Sequence, residues 1–378
     1  MASGLPRKHG PPIASGLSPS RYLLAGGWTP DGRFFFYTAK GDGSNNIYAI
    51  REKRGWRRAN PRPVQITAGP LDFYQATPSK DGKAIFAVGE QLRGQLLRYD
   101  AASEQFVPYA GGISADHVAF SRDGQWMAYV EFPERVLVRS RVDGSNRRQL
   151  TFPPMRVWNP QWSPDSSQLA VQGSAEPGAP PKIYLVSRDG GIPVLATPER
   201  HDRQVYPSWS SQGNSILFSV FDESGSNPVL GILDLKSRSV SELPGTGGLW
   251  FGQVSPDGRQ VAALQGDAWG NGPRKLMLYD MVSHDVQTLA ESADYPRWSA
   301  DGEYIYFRTL YYSIPGVKDP GVFRWQASTK TVQKLLGSTG FPLAGIDGVW
   351  CGLTPEGAPL ALRDISTHDV YRLDLELP

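Results

Sequence analysis

A short motif, Ser or Thr followed by any residue and then Asp and Gly, returns along nearly the whole chain. Its copies are Thr29-Pro-Asp31-Gly32, Ser79-Lys-Asp81-Gly82, Ser121-Arg-Asp123-Gly124 and Ser163-Pro-Asp165-Ser166, then Ser210-Ser-Gln212-Gly213, Ser255-Pro-Asp257-Gly258, Ser299-Ala-Asp301-Gly302 and Thr354-Pro-Glu356-Gly357. The third positions stand 50, 42, 42, 47, 45, 44 and 55 residues apart. A repeat of that length is one supersecondary unit that must stack on its neighbours to bury an apolar face, and about 40–45 residues is the length of a four-stranded propeller blade.

The interior of each unit reads the same way. An aromatic residue often precedes the motif, as at Trp28, Phe120, Trp162, Trp209 and Trp298. A short apolar strand follows it, such as FFFYT from Phe34, WMAYV from Trp126 or SILFS from Ser215. A third strand comes after a variable loop (NIYAI, IYLVS, LMLYD, VYRLD) and a brief fourth ends the unit (VQIT, RQLT, VQTL). β-Branched and aromatic residues dominate these runs. The 41 glycines and 32 prolines among 378 residues punctuate them too often for long helices. In the motif, Asp or Ser bonds nearby backbone and Gly takes the positive φ of the turn, so the recurring aspartates read as turn residues rather than ligands. The preceding Trp reads as filler of the wedge between neighbouring sheets.

The expected fold is therefore all-β: a single β-propeller of four-stranded antiparallel blades over 1–378. Eight blades are favoured, with seven as the second reading if a long step, 31–81 or 301–356, is a decorated hairpin. The last unit runs out at Pro378 after three strands. A segment within 1–20, near Leu5 or Ile13, is expected to complete the last blade and close the ring, which leaves no open sheet edge.

The Ser-Pro-Asp-Gly turn followed by an apolar strand resembles the Pro-Asp repeats of the TolB-like propeller family, a branch of the WD40-like group, from Trp28 to the C-terminus. Stretches such as Arg51-EKRGW-Arg57, Phe120-SRDGQW and Leu362-RDIST-His368 resemble the C-terminal propeller region of bacterial multidomain regulators that carry a winged-helix or Ser/Thr-kinase domain. The resemblance implies a sensor or scaffolding propeller with a protein partner in a periplasmic setting. Kinase and helix-turn-helix motifs are missing from this sequence, so neither activity is carried over.

Net charge is +2, which selects neither nucleic acid nor an acidic substrate, and the basic stretch Arg51–Arg62 reads as a solvated hairpin edge. One cysteine, Cys351, allows no internal disulfide and no zinc site of its own. No run is long and apolar enough to span a membrane, and the N-terminus has no signal-peptide core. No nucleophile elbow, P-loop or dinucleotide fingerprint occurs, and the five histidines are scattered. No cofactor, metal ligand set or catalytic residue is expected, and monomer is the default.

Propellers gather distant residues at the central channel. Six or seven residues before seven of the eight third motif positions stand Tyr74, His117, Trp158, Tyr206, Trp250, Tyr295 and Trp350, and only the first, with Leu24, lacks a ring. Long loops between second and third strands add Trp269, Tyr311 and Tyr312, with Asp222, Glu223 and Asp267 nearby. Two readings stay open for the ring. Either it plugs the channel, or it lines a mouth that grips a peptide or an oligosaccharide. The favoured function is a non-enzymatic binding module. The alternative is a carbohydrate-active or hydrolytic propeller, with His117 or Tyr206 as base beside a carboxylate from Asp116, Asp222, Asp267 or Asp294.

Overall fold

The recurring motif makes the same turn each time. In six copies the Ser or Thr hydroxyl donates to the carboxylate two residues on, at 2.5–2.6 Å. The same hydroxyl accepts the N–H five residues on, where the next strand begins. Gly32, Gly82, Gly124, Gly213, Gly258 and Gly302 sit at φ 66–78°, a region where a Cβ is strained, and Ser166 takes that place at 57°.

These turns make the fold acid-sensitive. The hydroxyl, and after it the backbone N–H, hold Asp31, Asp81, Asp123, Asp165, Asp257 and Asp301 below the ordinary aspartate range. A depressed folded value means that the unfolded chain binds protons first as pH falls. The contribution is whole above the unfolded value of about 3.9 and is lost below it, as pH drops through the folded values. The urea midpoint should stay flat from pH 7 to 5 and fall steeply below pH 4. A midpoint unchanged down to pH 2.5 would remove the turns from the stability of the fold.

The computed structural model describes residues 23–40, 44–51, 62–222, 224–269, 272–309, 321–337 and 352–375, and they are strand and turn apart from one 3-10 turn at Ala110–Gly112. In chain order, β1 (Leu23–Trp28), β2 (Phe34–Lys40), β3 (Asn45–Arg51) and β4 (Val64–Gln65) form one antiparallel sheet. Then come β5 (Asp72–Pro78), β6 (Ala84–Gln91), β7 (Gly94–Asp100) and β8 (Gln105–Pro108). Five further repeats each give a four-stranded sheet. They are β9 (Ala115–Phe120) with β10 (Trp126–Glu131), β11 (Leu137–Arg141) and β12 (Arg148–Gln149); β13 (Arg156–Trp162) with β14 (Gln168–Ser174), β15 (Lys182–Ser187) and β16 (Val194–Leu195); and β17 (Arg203–Trp209) with β18 (Ser215–Phe221), β19 (Val229–Asp234) and β20 (Val240–Glu242). The last two are β21 (Leu249–Val254) with β22 (Gln260–Gly266), β23 (Arg274–Asp280) and β24 (Val286–Ala290), and β25 (Asp294–Trp298) with β26 (Tyr304–Arg308), β27 (Gly321–Gln326) and β28 (Thr331–Gly337). The chain ends with β29 (Gly352–Leu353), β30 (Pro359–Asp364) and β31 (Thr367–Asp374).

The second and eighth repeats exchange their outer strands. β30 pairs with β7, from Leu360↔Arg98 to Asp364↔Gly94, which gives the sheet β29-β30-β7-β8. β31 pairs with β6 over Thr367↔Gln91 to Asp374↔Ala84, which gives the three-stranded sheet β31-β6-β5. The sequence places PLALR and VYRLD of the last repeat in one sheet, and the structure corrects this. A two-residue hairpin needs positive φ in its loop. Among the positive-φ residues neither Leu92–Arg93 nor Ile365–Ser366 occurs, so the chain runs on instead of doubling back. The expected closing strand within 1–20 lies outside the described residues.

Packing sorts the chain into two compact units, Met1–Leu92 with Ser366–Pro378, and Arg93–Ile365. The sequence expectation ran one propeller over 1–378. The smaller unit has its own core, with Phe34, Phe36, Ile47, Phe73 and Ile85 buried against Tyr371 and Leu373. The larger unit holds six four-stranded sheets. Its two ends meet where the Ile365 N–H donates to the Arg93 carbonyl at 3.0 Å. Three of the wedge tryptophans do as expected: Trp162, Trp209 and Trp298 each donate an indole N–H to the preceding sheet's inner strand, at Ala119, Gln161 and Gln253, whereas Trp28 is 41% exposed and packs on Phe35 of its own sheet. β29 packs on β9, and Leu353 of β29 packs against the cluster holding Ile305 and Tyr306, so the six sheets follow one another around a centre. The chain is an all-β propeller protein of four-stranded antiparallel sheets. Among the described residues no helix is long and apolar enough to cross a membrane.

Candidate functional site

Five inner strands of the larger unit carry the same defect. Pairing shifts between Asp116 and Ala119, Trp158 and Gln161, Val205 and Ser208, Trp250 and Gln253, and Asp294 and Arg297, with two residues facing one on the second strand. These are β-bulges, which re-aim a side chain. The first bulged residue is His117, Asn159, Tyr206, Phe251 or Tyr295, at φ 46–58°. Non-glycine residues rarely adopt such angles, so five in register are a built feature. Two N–H groups freed by the bulges are taken up by the neighbouring sheet: Phe251 donates to Ser219 Oγ at 2.8 Å and Tyr206 to Gln172 Oε1 at 3.4 Å.

The bulged rings converge. Tyr206 and Phe251 lie 4.1 Å apart between centroids, Phe251 and Tyr295 5.1 Å, and Tyr295 and His117 6.2 Å. His117 and Tyr295 come from non-consecutive sheets, so their contact places them at the centre. Phe251 is 1% exposed, His117 6% and Tyr295 8%. These rings pack on one another at the centre of the larger unit, and only Tyr206 among them keeps appreciable exposure. Arg297 stands two residues beyond Tyr295, toward the Ser299 turn, with its guanidinium 5.2 Å from the Phe251 ring. Burial lowers its pKa to about 10.

A second belt stands one residue earlier, on the sheet faces. Asp116 accepts from Arg135 at 2.7 Å, and the same guanidinium reaches the Trp158 ring of the next sheet. Arg274 repeats this arrangement between Trp250 of its own sheet, at 5.3 Å, and Asp294 of the next, at 3.1 Å. Arg308 gives Asp294 a second charged partner at 2.8 Å and lies over Tyr295. Trp250 is buried and donates to the Gly266 carbonyl. His117 Nε2 lies 3.9 Å from Asp116.

Of the sequence candidates, His117, Tyr206 and Tyr295 are therefore brought together at the centre, while Trp158 and Trp250 belong to the belt. Trp269 clamps two loops: its N–H donates to the Gly225 carbonyl at 2.7 Å, and its ring packs on Phe221 and under Arg203. Tyr74 lies on β5 of the smaller unit, where burial and the charges of Asp72 and Glu90 push its hydroxyl up to about 12. Trp350, Tyr311, Tyr312 and Glu223 lie outside the described residues. The loop carboxylates are held by their own loops. Asp222 accepts from Ser224, Ser226 and Asn227, and Asp267 from the Trp269 and Gly272 N–H groups. Phe251, Asn159 and Arg297 are central residues that the sequence reading missed.

No family model matches the chain. An uncharacterised protein of Agrobacterium fabrum is 27% identical over 266 residues, 65% of this chain and 88% of the relative. Among solved structures, a candidate TolB from Agrobacterium tumefaciens superimposes with a TM-score of 0.56 at 18% identity, covering 72% of this chain and 99% of its own. TolB from Acinetobacter baumannii gives 0.48 at 18%, covering 80% and 81%. The fold is thus that of a TolB-like β-propeller.

Proposed function

We propose that the chain is a non-enzymatic binding module of the TolB-like type, which takes up a protein segment or another extended ligand and serves as a scaffold or sensor in the periplasm. The observation that carries this reading is the state of the carboxylates. A hydrolase or lyase needs a free acid and base within reach of one point. Here Asp116 is paired with Arg135, Asp294 with Arg274 and Arg308, and Asp222 and Asp267 with their own loops. Ligand contact falls instead to rings that stay partly exposed beside the central cluster, Trp158 and Tyr206.

A thermal-shift screen of the whole chain against peptides, oligosaccharides and divalent metals, with and without EDTA, tests it. A peptide should raise the melting temperature, as preferential binding to the folded state requires, and EDTA should leave that shift unchanged. Trp158→Ala should weaken the peptide several-fold with the ligand-free melting temperature within a few degrees of the parent. Turnover of an oligosaccharide would overturn the proposal.

A further inference from the structure

We propose that the central channel of the larger unit binds a carboxylate on Arg297, and that the group it takes is the free C-terminus of a peptide. This deepens the binding reading above and rests on it.

Arg297 is anomalous among the arginines near the channel. Arg135 has Asp116, and Arg274 and Arg308 share Asp294. Arg297 has no carboxylate partner among the described residues, and its hydrogen bond goes to the carbonyl of the adjacent Pro296, at 3.2 Å. A partly buried cation without a counter-charge is costly, and such a group is retained where an anion completes it. Its position suits that task. The guanidinium lies over the Phe251 ring at 5.2 Å, an arrangement that holds it by its face and leaves its edge donors for a ligand. That planar fork matches a carboxylate with two parallel hydrogen bonds. One unpaired positive charge calls for one negative charge, and a carboxylate is cheaper to strip of water than a phosphate dianion.

A second, independent group asks for a donor. Asn159 occupies the equivalent bulge on β13, is 4% exposed, and its Oδ1 accepts no hydrogen bond. Buried acceptors are seldom left so. A ligand that presents a carboxylate to Arg297 and an N–H to Asn159 satisfies both, and the end of a peptide carries both kinds of group. Tyr206, the member of the ring cluster that keeps appreciable exposure, offers an apolar face to its side chain.

The test titrates the full chain with a short peptide ending in a free carboxylate after an apolar residue, with its C-amidated twin, and with benzoate. The acid peptide should bind roughly tenfold to a hundredfold more tightly than the amide, the value of one charge-assisted contact. Arg297→Met should abolish that preference, and Arg297→Lys, which keeps the charge but not the fork, should reduce it. Circular dichroism and the melting temperature confirm that both variants fold. Equal binding of acid and amide overturns the carboxylate site and leaves the binding module standing. Binding of benzoate alone, sensitive to Arg297→Met, supports the carboxylate site and overturns its assignment to a peptide end. Failure of all three probes to bind the parent overturns this proposal, while a hit in the wider ligand screen would still uphold the module.

Discussion

Asp294→Asn is expected to cost the larger unit about 3–5 kcal/mol, the penalty for removing one partner of a buried ion pair. At this size that lowers its melting transition by roughly 6–20 °C. The side chains of Asp294 and Arg308 are only 2% and 6% exposed, and Arg274, at 11%, is the third member. One carboxylate thus serves two guanidinium groups from β26 and β23, and its loss leaves both without their shared negative charge. Arg297→Met gives the opposite sign. The cation removed has no carboxylate partner among the described residues, so the melting temperature should hold or rise. Asp294 and Arg297, three residues apart on β25, thus separate a charge held in an ion triad from one with no carboxylate partner among the described residues. Urea titration of both variants decides it. An Asp294→Asn cost under about 1 kcal/mol would mean that the triad does not hold these sheets together.

Much of the fold is legible in the sequence because its signals are local. The Ser-x-Asp-Gly turn needs only six consecutive residues to satisfy its own hydrogen bonds, as at Ser255–Gln260. Trp162, Trp209 and Trp298 stand beside those turns and do the same work in each sheet. What stayed hidden is non-local. Nothing in VYRLD says that it pairs with β6 rather than β30, since its alternation suits either neighbour, and the absence of turn residues at Leu92–Arg93 and Ile365–Ser366 was the one available clue. The site was blurred for another reason. An offset of six or seven residues mixes two registers, and one residue along a strand turns the side chain to the other side. A constant offset of six gives Gln75, His117, Asn159, Tyr206, Phe251, Tyr295 and Trp350, which includes every bulged residue with positive φ. Screening for aromatics instead took Tyr74, Trp158 and Trp250 from the neighbouring register and passed over Phe251 and Asn159.

The exchange of outer strands predicts that two substitutions nine residues apart will act on different parts of the molecule. Leu362 lies in β30, 1% exposed, and pairs with Leu96 of β7. Tyr371 lies in β31, pairs with Ala87 of β6, and sets its ring edge against Phe73 at 5.8 Å. Both belong to the eighth repeat, and in a repeat that kept its own strands they would weaken one sheet together. Here Tyr371 packs in the core of the smaller unit, while Leu362 pairs within the larger one. Leu362→Ala should cost the larger unit about 2–5 kcal/mol through the cavity it leaves, and should leave β31–β6 protected from hydrogen exchange. Tyr371→Ala should open exchange in Phe73–Pro78, Ala84–Gln91 and Thr367–Asp374, with Gly94–Asp100 and Pro359–Asp364 unchanged. The double variant should show additive losses, as independent units require. Coupled exposure of β30 and β31 in either single variant would restore the uninterrupted repeat, with its second and third strands in one sheet.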